Sequence, residues 1–300
     1  MHVGRWLPVA LTVGVVVAGL VAITGCGGTA RARAATVVAS TDVWGSVASA
    51  VTGRHVSVRS ILSGSDTDPH SYMASPSDAA ALADAALVVY NGGGYDPWVD
   101  QVLAGHPGIK SVDAYSFVPA AAGEPPNEHV FYDLSVAKSV AAAIAERLAA
   151  IDPANAADYR ANAAAFCRGA DSIAASERAI AAAYPEAGVI ATEPDVHYLL
   201  AAAGLVDRTP AAFAAAGENE TDPSPSDLAA VLDMIDHRQV SALLVNPQTS
   251  SSAVNGLQGA ARRAGVPVTQ VTETLPDGSD YLTWQRNTVD HLLAALRSSR

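Results

Sequence analysis

"DPANAADYRANAAAFCRGADSIAASERAIAAAYP", residues 152–185, is the stretch that decides the architecture. Between Ala154 and Tyr184 only Gly169 interrupts it, and alanine, the strongest helix former, dominates. The simplest reading is one helix of about thirty residues, roughly 45 Å long at about 1.5 Å rise per residue. Such a strut joins two bodies and restricts their relative motion far more than a Gly/Ser linker would. Two helices broken at Gly169 are the alternative.

On either side of the strut, short β-rich runs alternate with alanine-rich helical ones. "TVVAS" (36–40), "HVSVRSI" (55–61) and "ALVVY" (86–90) precede it, and "AGVIAT" (187–192), "SALLVN" (241–246) and "VPVTQVT" (266–272) follow it. This order predicts an α/β fold: two lobes, each a parallel β-sheet flanked by helices, bridged by the one long helix. At 300 residues the chain exceeds what one core usually absorbs. The expected division is an N-terminal lobe over 36–152, the bridging helix over 153–184 and a C-terminal lobe over 185–300. An internal echo supports a shared plan: "SPSDAAALADAALVVYN" (75–91) and "SPSDLAAVLDMIDHRQVSALLVN" (224–246) each open with Ser-Pro at a helix start and end with a strand and Asn.

The first residues, "MHVGRWLPVALTVGVVVAGLVAITGCGG", place Arg5 before an apolar run from Leu7 to Thr24. They read as a secretory signal over 1–25, with a permanent membrane span as the alternative that length allows. Ile23-Thr24-Gly25-Cys26 resembles the bacterial lipobox, where the chain is cut before the cysteine, which then carries lipid. Residues 26–35 are then a lipidated tether, and acyl chains at about 0.8 kcal/mol per buried methylene anchor the protein outside the membrane. A lipidated Cys26 leaves Cys167 without a partner, a packed thiol on the long helix.

The formal net charge of −12, with no basic stripe, argues against nucleic acid and suits a cationic or neutral small ligand. There is no Gly-x-Ser-x-Gly elbow, phosphate loop or dinucleotide fingerprint; "NGGGY" (91–95) lacks the lysine and the spacing. Of the eight histidines, His2 is in the signal, and His55, His106, His237 and His291 sit in turn-like or charged stretches. His70 ("SDTDPHSYMAS", 65–75) and His129 ("PPNEHVFYDLS", 125–135) stand in proline-containing connections between an extended run and a helix. In open α/β sheets, ligands gather where such connections lie. Asp133 reads as the cap of the helix that follows.

The second lobe places acids at the ends of strands. Glu193 follows its strand directly in "VIATEPDVHYLLAAAGL" (189–205), with His197 one turn on, and Glu273 follows its own in "VPVTQVTETLPDGSDYLTW" (266–284). A carboxylate buried unpaired at a strand end is costly. A divalent cation held by two imidazoles and two carboxylates would offset that cost.

These stretches, with "NEHVFYDL" (127–134) and "ETDPSPSDLAAVLDMI" (220–235), resemble the metal-specific (cluster A-I) solute-binding lipoproteins of bacterial ABC importers for zinc and manganese. The resemblance spans nearly the whole mature chain. It implies a metal site of His70, after Asp-Pro; His129, in an Asn-Pro-His-type loop with Glu128 in place of the usual proline; Glu193; and Glu273, where Asp is usual. Asp280 is the alternative fourth ligand, and His197 is structural or supports a ligand. It further implies Zn²⁺ as transported cargo, with Mn²⁺ or Fe²⁺ as alternatives, and an ABC permease with its ATPase as partner. The protein is then a monomer held to the membrane by its lipid and not an enzyme. The acidic, histidine-rich loop of many zinc-specific members is missing, since residues 118–127 read "VPAAAGEPPN". Two other functions stay open: a secreted metallo-hydrolase using His70, His129 and one Glu as ligands with the other Glu as base, and a carrier of an organic solute with Trp44, Tyr95 or Trp98 lining the cleft.

Overall fold

Strand β1 (Thr36–Thr41) buries both faces, as a parallel strand covered by helices must. It is the centre of a four-stranded parallel sheet with β2 (Ser57–Leu62), β3 (Leu87–Tyr90) and β4 (Ser111–Asp113) in the order β2-β1-β3-β4. A second parallel sheet of β5 (Gly188–Ala191), β6 (Val206–Asp207), β7 (Ala242–Val245) and β8 (Val268–Gln270) repeats the order as β6-β5-β7-β8. The computed structural model describes residues 1–4, 36–64, 71–119, 125–219, 221–249 and 251–299. Most of the expected leader, Cys26, the tether and His70 lie outside the described residues.

The echo in the sequence corresponds to equivalent parts of the two sheets. Ser75 caps the helix Pro76–Ala83, which leads into β3, and Ser224 caps Pro225–Asp236, which leads into β7. In both, proline occupies the first turn, where its missing N–H costs nothing. Strands β4 and β6, three and two residues long, were not expected from the sequence. They lie at sheet edges, too short to leave a pattern.

Alternation along the strands sorts side chains between cores. Val37, Ala39, Leu87 and Val89 from the first sheet share one apolar core with Val189, Ala191, Ala242 and Leu244 from the second. The intervening residues face outward: Val38, Val88 and Tyr90 into one satellite core, Ile190, Leu243 and Val245 into another. One apolar core therefore runs from one sheet to the other by way of the helices between them, and Ala34–Arg300 is a single compact unit.

The strut is one unbroken helix, Ala156–Ala183, preceded by a short turn of tighter helix at Pro153–Asn155. Tyr159, Ala163, Phe166, Ala170, Ile173, Glu177 and Ile180 are buried on it, a stripe with the three-and-four spacing of a helix lying on a core. Gly169 is not a break. A side chain there would meet Leu282 of the last helix, Tyr281–Ser298, at 2.5 Å, so glycine lets the two helices approach. Cys167 is part-buried, its thiol on the Lys138 carbonyl at 3.9 Å and shifted upward by burial. Among the described residues no helix is long and apolar enough to cross a membrane.

Candidate metal centre

In each parallel sheet the order of connection switches sides between the first and third strands, the place outside strand ends where open α/β sheets gather ligands. Asn246 follows β7 directly and is almost fully buried. Its Oδ1 accepts the Gln248 N–H at 2.9 Å, which fixes the orientation of the amide. Its Nδ2 then donates to Glu193 Oε2 at 2.8 Å and to Glu273 Oε1 at 2.9 Å. The strands end sooner than the sequence suggested, so Glu193 lies two residues beyond β5 and Glu273 three beyond β8, and one amide ties together two acids carried past the ends of separate strands. Gln248 adds a second tie, its Oε1 accepting the Glu273 N–H at 2.7 Å.

His129 approaches from the first lobe. Its backbone N–H and its Nδ1 both meet Asn127 Oδ1, at 2.8 and 3.0 Å. With the ring proton on Nδ1, Nε2 keeps its electron pair, the state a metal requires. That Nε2 points at Glu273 Oε2, 3.5 Å away. The loop is stitched to the second lobe: Tyr198 donates its hydroxyl to the Asn127 carbonyl at 2.7 Å, and Asn127 Nδ2 donates to the Pro194 carbonyl at 3.2 Å. Tyr95 and Phe131 pack edge-on against the imidazole. Asn91, which follows β3 as Asn246 follows β7, donates to the Glu128 carbonyl at 2.8 Å and so holds the same loop from beneath. Three consecutive glycines with positive φ, Gly92 to Gly94, turn the chain away after Asn91, and a Cβ at Gly92 would overlap Asp113.

Sequence reading missed Asp195, which is fully buried close to both acids. Its carboxyl is pushed well above the usual range by burial first and then by the charges of Glu273 and Glu193; nearby backbone N–H groups oppose the shift only in part. Neither of its oxygens has a full hydrogen-bond partner among the described residues. The only signal was its place two residues after Glu193. Asn246 closes the second half of the internal echo as Asn91 closes the first, and Asn127 opens the His129 loop, but nothing in the sequence assigned them or Gln248 a role at the site.

Of the four expected ligands, the structure draws His129, Glu193 and Glu273 into one crevice, and His70 lies outside the described residues. Among the described residues, no three His, Cys, Asp or Glu side chains form a group that could hold an ion unaided. Asp280 is elsewhere, capping the last helix through the Thr283 N–H at 2.9 Å. His197 is exposed and lies edge-on to Tyr198. His55 pairs with Asp158 on the surface, while His106 and His237 bond carbonyls within their own helices. Trp44, Tyr95 and Trp98 are buried in the lobe cores.

Beside the crevice lies a cavity of about 380 Å³, bordered by His129, Glu193, Thr192 and Phe213 and rimmed by the acids Glu218 and Asp222. An imidazole nitrogen with carboxylate oxygens in a pocket of negative charge is a donor set for a borderline divalent cation.

Comparison with known proteins finds relatives and folds that align over most of this chain. The manganese-binding lipoprotein MntA of Bacillus subtilis is 24% identical over 266 residues, covering 83% of this chain and 84% of that protein. The fold matches that of the solute-binding protein FpvC of Pseudomonas aeruginosa, solved with Mn²⁺, at a TM-score of 0.74 and 24% identity over 89% of this chain and 100% of that one. It matches the periplasmic zinc-binding protein TroA of Treponema pallidum at a TM-score of 0.73 and 19% identity, over 88% of this chain and 99% of that one. Over residues 37–295 the sequence fits the ZnuA family, and the chain therefore belongs to the family described as zinc-uptake complex component A, periplasmic.

Proposed function

We propose that the protein captures a divalent transition metal ion in the crevice between its two lobes and delivers it to an ABC importer. His129, Glu193 and Glu273 are the proposed ligands from the described residues, and His70 completes the set. The observation that carries this reading is the meeting of His129, from one lobe, with the Asn246-linked Glu193 and Glu273, from the other. Two nitrogen and two oxygen donors accept Zn²⁺ in a tetrahedral shell, and bidentate carboxylates also accept Mn²⁺ or Fe²⁺. We read zinc as the first cargo and manganese as the next.

Four protein donors fill a tetrahedral shell and leave no open position for an activated water, so the site suits capture and release instead of hydrolysis. Cleavage before Cys26 and lipidation of that residue would hold a monomeric clamp at the outer face of the cell membrane, with residues 26–35 as its tether. There it would meet its permease.

Elemental analysis of the purified chain from residue 27 onward, beside its His70→Ala form, tests the reading. About one equivalent of metal in the first and a marked loss in the second are expected. Because protons compete for imidazole and carboxylate, affinity is expected to be weaker at about pH 5 than at about pH 7.5. Equal affinity at both would refute the ligand set.

A further inference from the structure

Asp42 opens the helix Asp42–Thr52 directly after β1, and its carboxylate also accepts from two segments outside that helix. Oδ2 accepts the Gly64 N–H at 3.0 Å within its own lobe, and Oδ1 accepts the Leu275 N–H at 3.1 Å from the other lobe. Thr274 returns the tie, its hydroxyl donating to the Gly64 carbonyl at 3.1 Å. The same hydroxyl oxygen accepts Gln248 Nε2 at 2.9 Å, and Gln248 in turn accepts the Glu273 N–H. One turn along the helix, Ser46 Oγ accepts the Tyr281 N–H at 2.9 Å, a second tie between the lobes.

These bonds form a continuous chain from Asp42 through Thr274 and Gln248 to Glu273 and, by way of Asn246, to Glu193. They adjoin a proposed ligand directly, since Leu275 lies two residues beyond Glu273.

We propose that Asp42 is an inter-lobe latch, a positioning residue that sets how long a bound metal ion stays between the lobes. The proposal rests on the metal-capture reading. An ion ligated from both sides leaves only when the lobes part, so its release rate scales with the fraction of time the crevice stands open. A carboxylate that accepts one backbone N–H from each lobe lowers that fraction without touching the ion. Permease docking that draws the Leu275 segment away from Asp42 would undo the latch and free the ion.

Asp42→Asn tests this, because it keeps the size of the side chain but removes the charge and turns an N–H toward one of the two amides. Release of zinc to an excess of chelator is followed by stopped flow in the wild type, Asp42→Asn, Thr274→Val and the double variant, alongside the melting temperature of each metal-free protein. The latch predicts release about tenfold faster or more in Asp42→Asn, and a double variant little faster than the faster single one, because both changes cut the same tie. Release within about twofold of wild type overturns it, as do additive effects that track lost thermal stability. A second readout needs no metal: hydrogen exchange at the Glu273 amide, which bonds Gln248 and not Asp42, is expected to quicken in metal-free Asp42→Asn. Unchanged protection there overturns the latch, whereas a wild type that takes up no zinc overturns the capture reading alone.

Discussion

His129 Nε2 stands 3.5 Å from Glu273 Oε2, and both side chains are nearly sealed from solvent, at 5% and 1% exposure. Each is carried by a loop of a different lobe, so the pair reports directly on how the lobes meet. Removing either partner leaves the other buried without its counterpart. His129→Ala and Glu273→Gln are each expected to weaken zinc binding by more than about 100-fold, since even groups outside the coordination shell are worth about 10–100-fold. Competition with a chromogenic chelator measures it, and affinities within about threefold of wild type would place the ion elsewhere.

Asn246 touches both acids with one amide, which makes it the residue that spaces them. Asn246→Ala is expected to weaken zinc binding by about 10–100-fold while leaving the circular dichroism spectrum unchanged. An unaffected affinity would show that Glu193 and Glu273 find their positions without it.

Glu177 gives the fold a dependence on pH. It is buried on the bridging helix, and its carboxyl is pushed from an ordinary 4.5 up to about 7 by burial first and by the charge of Asp133 next, with Arg178 opposing. Between those two values the native state holds a proton that the unfolded chain has lost. This group's contribution to stability therefore falls as pH rises from about 4.5 to about 7, and the loss is complete above that. Glu177→Gln is expected to stabilise the protein by roughly 1–3 kcal/mol at about pH 8, the gain vanishing near about pH 4. Urea unfolding of both proteins at each pH checks the sign, and a gain that does not change with pH would rule out ionisation of Glu177 as its cause.

His197 and Asp280 serve as contrasts, since each is a metal-ligand type close in sequence to a proposed ligand. His197→Ala is expected to bind zinc within about twofold of wild type, because its ring lies at the surface. Asp280→Ala loses a helix cap and is expected to cost about 0.5–2 kcal/mol of stability without lowering affinity. A loss of affinity in either variant would redraw the ligand set.

The parts of this protein legible in its sequence are those that short-range physics writes locally. An alanine-rich, proline-free run marked the long helix, short β-rich runs marked six of the strands, and Ser-Pro marked two helix starts. An acid placed directly after an apolar strand marked Glu193 and Glu273 as candidates, because a charge at that point needs a partner. The edge strands β4 and β6 were not legible, since two or three residues cannot display a period.

Tertiary structure alone decided which polar groups share the crevice. Nothing near Asn246 in the chain announces that its amide spans two acids, nor does anything near Asn127 announce that it orients an imidazole. Asp195 reads as an ordinary turn residue until packing seals it beneath Glu273 and Glu193. Likewise, no local pattern announces that Val37 and Leu87 from one sheet share an apolar core with Val189 and Leu244 from the other. The sequence sets each segment's preference through its own neighbours along the chain, whereas hydrogen bonding and burial at the site depend on distant segments that only the packed sheets bring within reach.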